Sequence, residues 1–420
     1  MHRTLSVPVV WLGWIVSRLL LLRLILAEPM PFGDVRYYYR GVSGADPTAL
    51  TEYPDAGVWP VRLLGWLTGL EGLAFVVGFL AMNALLDAAV LALLLRRGER
   101  RFTAGWFWVF FGLATGHVLW LRLDLVPGVL VAGTAALLFT RPAVGAAVLA
   151  AAAAVKLWPA VLAAGLVGGL RRSGTWVRVG SFLLSLVGLA GVTWVTAGSG
   201  RLLSPLSYQG DRGIQIESVA ATPFLLRAHG DPEAYWMGYA ASKSYEIHGP
   251  GTDLAVRAAD VALYAVLAFA LGWAVWQLFA DRWRPRTAVA FLLLLVLLLM
   301  VANKVFSPQY IVWVGPLLAV CLRVSGSRLV AWTAGLAVVA AALGLYVYPY
   351  HYDELWYSPG TAGVEIAVLA VRNLLIVVMT VLTAAWLARE VRLSGRPAPD
   401  APGRERSRRA SSATSTRRQR

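Results

Sequence analysis

Apolar residues fill twelve separate runs of this chain, at about 6–27, 71–95, 103–121, 123–140, 142–155, 157–170, 177–197, 254–280, 286–303, 309–323, 328–347 and 361–388. About 20 apolar residues cross a bilayer as a helix. In hydrocarbon, only a helix or a closed barrel satisfies its own backbone polar groups. Charged residues make up 15% of the chain, against about 25% in a soluble globular protein. The pattern specifies an all-α polytopic membrane protein of about 12 membrane segments and excludes a soluble globular fold.

Arginine orients the segments. Short Arg-rich loops belong on the cytoplasmic side. Here they are 96–101, Arg141, Arg171 with Arg172, 282–286, 323–328 and the C-terminal tail. For Arg141 and Arg171 both to lie inside, 142–170 must enter the bilayer and return. Two half-helices meeting near Lys156-Leu157-Trp158-Pro159 do this, and Pro159 suits a first helical turn. Both termini are then cytoplasmic. The long loops Glu28–Leu70 and Gly198–Thr252, and the shorter Tyr348–Gly360, lie outside.

The net charge of +15 could suggest a nucleic-acid partner, but its location argues against one. Between Arg389 and Arg420 stand ten Arg against Glu390, Asp400 and Glu405. This Ser/Pro/Ala-rich stretch has no apolar periodicity, so it reads as a disordered basic cytoplasmic tail (391–420) lying against anionic lipid. Residues 1–390 form the membrane domain. The single cysteine, Cys321, excludes an internal disulfide. Met1–Ala27 is too long and too apolar for a cleaved signal and reads as the first span.

The outer loops carry the candidate chemistry. Asp34 follows the first span in Pro31-Phe32-Gly33-Asp34-Val35-Arg36-Tyr37-Tyr38-Tyr39-Arg40. Three tyrosines beside Arg suit a short helix in the headgroup layer. Asp34 there can be its N-cap, a base accepting a proton from an alcohol, or both. Thr51-Glu52-Tyr53-Pro54-Asp55 reads as a turn before an interfacial anchor. The chain has 35 Arg but only three Lys, namely Lys156, Lys243 and Lys304, and all three fall on the outer side.

Several motifs occur in order: the Asp after the first span, Glu52-Tyr53-Pro54, Val155-Lys156-Leu157-Trp158-Pro159, Arg212-Gly213-Ile214-Gln215-Ile216-Glu217-Ser218, and Asn303-Lys304-Val305-Phe306-Ser307-Pro308-Gln309-Tyr310 followed by Trp313. Over roughly residues 10–385 the chain resembles the glycosyltransferase C (GT-C) superfold. Within it, the likeness is to the family eighty-seven type of bacterial polyprenyl-phosphate-mannose-dependent mannosyltransferases. It departs from that pattern where Pro54 is followed by Asp55 rather than a second proline. It departs again where Gln309 and Tyr310 stand at positions that are histidine in some relatives. The resemblance implies an enzyme of the bacterial plasma membrane with an extracytoplasmic active site and a polyprenyl-phosphate sugar donor, mannose above all. Its acceptor would be lipid-linked or a glycan, and Asp34 would be the general base.

The donor fits other features of the chain. No Gly-rich nucleotide cradle is present, and a lipid-phosphate leaving group needs preformed cations. Lys156, Lys304 and Arg212 are the candidates. The alternative readings are snorkelling to the headgroups for the lysines and a solvated loop cation for Arg212. Glu52, Tyr53, Gln215, Ser218, Gln309, Tyr310 and His351 are the expected cavity residues. Neither a cofactor nor a metal motif is apparent; Asp353-Glu354 beside His351 lies among aromatics that read as a belt or a sugar-stacking surface. Ile216–Ala228 is apolar enough to lie on the membrane and cap the cavity. Arg18 and Asp87 fall at similar depth and should pair. Arg122 and Asp124 read as a tight outer turn, and His117 as a packing residue. Twelve segments with both ends inside also fit a lipid or solute transporter, although the polar residues gather at the rim rather than mid-membrane.

Overall fold

The computed structural model describes residues 6–201, 212–240 and 243–395, and 76% of the structure is helical. In chain order the helices are α1 (Val7–Ala27), α2 (Phe32–Ser43), α3 (Asp55–Leu67), α4 (Gly72–Leu94), α5 (Arg101–Thr115), α6 (His117–Trp120), α7 (Leu125–Leu137), α8 (Pro142–Val155) and α9 (Ser173–Ala197). They continue with α10 (Thr222–Gly230), α11 (Thr252–Ala280), α12 (Pro285–Ala302), α13 (Ile311–Val324), α14 (Arg328–Leu345), α15 (Tyr352–Tyr357) and α16 (Gly363–Ser394). Seven of these are long and apolar enough to cross a membrane: α1, α4, α9, α11, α12, α16, and α14 with its continuation to Tyr350. The chain is a mostly helical, multi-pass membrane protein. The other five apolar runs form shorter elements: α5, α7, α8, α13 and a 3-10 segment at Trp158–Leu166.

Local chemistry sets the element ends. The Glu71 carboxylate accepts from the Leu73 and Ala74 amides and caps α4. Proline opens α8 and α12, where a missing amide proton costs nothing. Gly44, at φ +78°, ends α2 in the left-handed region that glycine enters without penalty. α12 is apolar on every face because its neighbours surround it, with Phe291, Leu293 and Val296 fully buried. α9 instead leaves Leu184 and Val195 exposed, as suits a lipid-facing helix.

The expected pair across the first two spans is present. Arg18 Nε lies 2.7 Å from Asp87 Oδ2 and Nη2 lies 2.9 Å from Oδ1. The indoles of Trp14, Trp108 and Trp120 also donate to the Asp87 carboxylate. Such full satisfaction is what a buried charge requires. A Cβ at Gly112 would stand 2.1 Å from Arg18 Nη2, so this network needs glycine there. His117 is buried, within 3.1 Å of the Leu24 carbonyl and edge-on to Tyr350, a packing role.

The expected return within 142–170 takes a different form from two α-helices. α8 ends at Val155, Lys156 is extended, and the chain comes back as the 3-10 segment and then an extended stretch. Side chains take up the carbonyls that this irregular backbone frees. Trp283 Nε1 donates to Gly165, Arg178 Nε to Leu166 and Thr175 Oγ1 to Gly169.

The structure gathers the Arg-rich turns at one end of the helices. Arg323 donates to the carbonyls of Leu94, Arg96 and Arg97. Arg172 pairs with Asp281 at 2.7 Å, and Arg284 donates to Leu393 and Ser394. These last bonds, with Trp386 Nε1 donating to Glu390, carry α16 to Ser394. The first residues of the expected tail are therefore helical, and 396–420 lie outside the described residues.

At the opposite end the second long loop forms a small sheet that hydropathy did not foresee, in the order β1 (Ile214–Gln215), β3 (Tyr245–His248), β2 (Trp236–Tyr239), all antiparallel. Ile214 pairs with Ile247, and Tyr239 with Tyr245.

Candidate active site

A cavity of about 710 Å³ opens at the end of the bundle away from the Arg-rich turns. Its walls are α2, the turn before α3, the residues just past α8, residues 259–267 of α11, the segment linking α12 to α13, and the β2–β3 turn. All three lysines of the chain line it, with Asp34, Glu52, Tyr53, Arg212, Gln309 and Tyr310. Five Lys or Arg face three Asp or Glu across the lining, so the chamber is electropositive.

Asp34 is not the helix cap. Pro31 holds the N-cap position, and Asp34 sits in the first turn of α2, where the helix dipole favours an acid. Val35 and Tyr38, three residues apart, turn inward and fix the helix. The Asp34 carboxylate, about a third exposed, forms an ion pair with the buried guanidinium of Arg122. Arg122 Nη2 in turn donates to Tyr348 Oη at 2.8 Å. One base candidate is thus held by a cation that is itself anchored from behind.

Arg122 and Asp124 do share a turn, but they do not serve one another. Asp124, fully buried, accepts from Lys156 Nζ at 2.5 Å and from Trp313 Nε1 at 2.6 Å. Lys156 does not snorkel. Its ammonium lies 5.9 Å from the Tyr53 ring, 5.4 Å from Tyr310 and 5.0 Å from Trp313. Trp158 stacks on Trp313 at 4.7 Å and Tyr310 on Trp313 at 3.9 Å, giving an aromatic wall beside the cation. Lys304 lies 3.2 Å from Asp260 of α11. Arg212 is half-buried in the cavity wall, so it is no solvated loop cation.

Tyr37 organises the rim. Its hydroxyl donates to Glu52, 2.8 and 2.9 Å from the two carboxylate oxygens, and accepts from the Leu50 amide and from Lys243 Nζ. Burial pushes the phenols of Tyr38 and Tyr53 well up, so both stay neutral; their hydroxyls are 3.5 Å apart.

Three expected cavity residues lie elsewhere. Gln215 is buried and structural. Its amide donates to the Lys304 carbonyl at 3.0 Å and its Oε1 accepts from the Phe306 amide at 2.9 Å, fixing the lysine loop from behind. Ser218 is fully buried, and its hydroxyl accepts from the Ala221 amide. His351 stacks on Tyr346 at 4.0 Å, with Nδ1 2.8 Å from the Tyr346 carbonyl. Residues 216–228 do not cap the cavity either. Asn373 of α16 donates to Thr222 Oγ1, which draws this stretch against α16, and Val219, Pro223 and Phe224 border a separate apolar groove.

Little in the sequence points to Arg122, Asp124 or Asp260 as partners of Asp34, Lys156 and Lys304, because each acts on a residue distant in the chain. The one signal is that Arg122 and Asp124 are opposite charges at the rim of an apolar run. No family model matches the chain, and neither a curated protein nor a solved structure matches it.

Proposed function

We propose that this chain is a glycosyltransferase that moves a sugar, mannose in the first instance, from a polyprenyl-phosphate donor to a lipid-linked or glycan hydroxyl at the outer face of the plasma membrane. One observation carries the reading: the three lysines, scattered over the sequence, share one cavity with Asp34. Lysine is a compact point charge suited to phosphate. Leu157, Val161, Leu263, Leu267 and Leu299 continue the lining as an apolar furrow suited to the lipid chain.

In the reaction, the acceptor hydroxyl oxygen attacks the anomeric carbon and its proton passes to the Asp34 carboxylate. The bond from that carbon to the phosphate oxygen breaks, and the phosphate leaves with the electron pair. Lys156, Lys304 and Arg212 meet the charge that grows on it. A single in-line displacement inverts the anomeric centre. The fixed partners Asp124 and Asp260 hold two of these cations in place before the donor arrives. Arg122 keeps the Asp34 carboxylate in one orientation.

The donor side is tested by titrating the detergent-solubilised protein with a short isoprenoid phosphate. Lys304→Gln and Lys156→Ala should each weaken binding by about tenfold, the size of one lost charge-assisted contact. Unchanged affinity in both variants contradicts the assignment.

A further inference from the structure

One buried guanidinium at the Arg-rich end of the molecule lacks an anion. Arg178 stands five residues into α9, about 7.5 Å of rise from its start, and is only 7% exposed. At that depth an arginine ordinarily stretches to the headgroups or meets an acid. Arg178 instead folds inward, with its guanidinium carbon 3.6 Å from the centre of the Trp283 ring. Its Nε donates to the Leu166 carbonyl at 2.8 Å, its single hydrogen bond among the described residues. No carboxylate pairs with it among the described residues. A guanidinium carries five N–H donors in a planar fork, so those on Nη1 and Nη2 are left over.

Helical side chains lean towards the N-terminus, which lays this fork over the first turn of α9. There the neighbours are glycines. A Cβ on Gly168 would stand 2.9 Å from Nη2, and one on Gly174 3.3 Å from Nη1. Gly168 is buried, and its amide has no acceptor among the described residues; nor do the amides of Ser173 and Gly174. Thr175 Oγ1 donates to the Gly169 carbonyl at 3.0 Å and holds the 168–169 backbone on the helix start. Asp281 is the acid beside this backbone: its Oδ1 lies against Gly169, and its Oδ2 is taken by Arg172 at 2.7 Å. Arg178 therefore remains one positive charge in excess.

We propose that Arg178, the Gly168 amide and the start of α9 seat the phosphate of an anionic lipid from the leaflet at the Arg-rich end. The fork of Nη1 and Nη2 suits two phosphate oxygens, and a helix N-terminus favours a negative charge. Ser173 and Gly174 are exposed, so the donors open at the helix start. Trp176, more than half exposed, marks the headgroup level there. Below it Val177, Leu184 and Val195 are exposed at offsets of 7 and 18 residues, one face of α9 along which an acyl chain can run. The site is remote from the cavity at the other end and does not rest on the glycosyl-transfer reading.

The full chain in detergent is titrated with dihexanoyl phosphatidylglycerol, with dihexanoylglycerol, which lacks the phosphate, and with inorganic phosphate. Phosphatidylglycerol should bind at least about tenfold more tightly than the neutral lipid, and Arg178→Gln should lose about tenfold of that affinity. Arg178→Gln also frees the Leu166 carbonyl, so a second variant leaves Arg178 alone. Ser173→Glu adds an acid to the first turn of α9, where it favours the helix but repels a phosphate. It should lose about tenfold for phosphatidylglycerol with no fall in the lipid-free melting temperature. Inorganic phosphate binding that also weakens in Ser173→Glu supports the seat, with a free phosphate as sufficient ligand. Binding of the lipid alone supports it with a membrane-presented phosphate. Equal binding of the two lipids by the parent chain overturns the inference, as does a phosphatidylglycerol affinity in Ser173→Glu equal to the parent's.

Discussion

In the proposed reaction Asp34 is the base, and Arg122 is the residue that makes its geometry definite. A carboxylate on an interfacial helix can sample several rotamers, but an ion pair from a buried guanidinium, held in turn by Tyr348, leaves it one. Arg122 touches no substrate in this account and acts through Asp34. Arg122→Gln should therefore lower kcat by about tenfold to a hundredfold with little change in donor KM. Arg122→Lys should restore part of it, and the pH–rate profile should shift in the Gln variant. A rise in donor KM at unchanged kcat would place Arg122 with the donor phosphate instead. Much of this cavity was legible in the sequence. Asp34, Lys156 and Lys304 each follow an apolar run and Gln309 opens one, and ends of runs on one side of a membrane converge. Their partners were not legible, since nothing local tells Asp124 that it will meet a lysine 32 residues later.

Among the elements, the segment 214–218 does more than close a sheet. Its Gln215 holds the loop of Lys304, its Ile216 amide donates to Tyr245, and its Glu217 carbonyl accepts from Arg372 of α16 at 2.7 Å. The Glu217 side chain is fully buried, 3.4 Å from Arg372, with the charge of Arg122 and the phenols of Tyr348 and Tyr352 also facing it. Burial pushes its carboxyl up to about 7 from an ordinary 4.5, against the opposing pull of Arg372 and then Arg122. A raised carboxyl means that the folded chain keeps a proton which the unfolded chain has already released. Stability should therefore fall as pH rises from about 4.5 to 7 and level off above, by roughly 3 kcal/mol for this group. Thermal unfolding in detergent should show that loss between pH 5 and 8 in the parent chain and a flatter profile in Glu217→Gln. Parallel profiles would contradict it. This network escaped the sequence reading because a glutamate in a polar loop signals exposure until its partner, 155 residues on, is known. The 3-10 return at Trp158–Leu166 escaped for a related reason: apolar content marks membrane depth but not helix type, which here depends on distant Trp283 and Arg178.

The molecule as a whole is polarised, with Arg-rich turns at one end and an electropositive cavity and long loops at the other. Multi-pass architecture was readable because bilayer length and backbone satisfaction leave few choices. The number of full crossings was not, because short apolar helices and spanning ones share a composition. The proposed orientation puts the cavity outside. The one cysteine among the described residues is buried, so single-cysteine labelling has a low background. An impermeant maleimide should label Ala45→Cys on intact cells, and Arg97→Cys only after permeabilisation. The reverse pattern would put the cavity in the cytoplasm. A liposome flux assay separates the transporter alternative: solute movement without sugar transfer would favour it. The most direct measurement is sugar transfer itself by the purified chain in liposomes, from a polyprenyl-phosphate sugar, comparing the parent with Asp34→Asn. The account predicts transfer by the parent and a loss of at least about a hundredfold in the variant, with isoprenoid phosphate binding retained. Near-normal transfer by Asp34→Asn would contradict it.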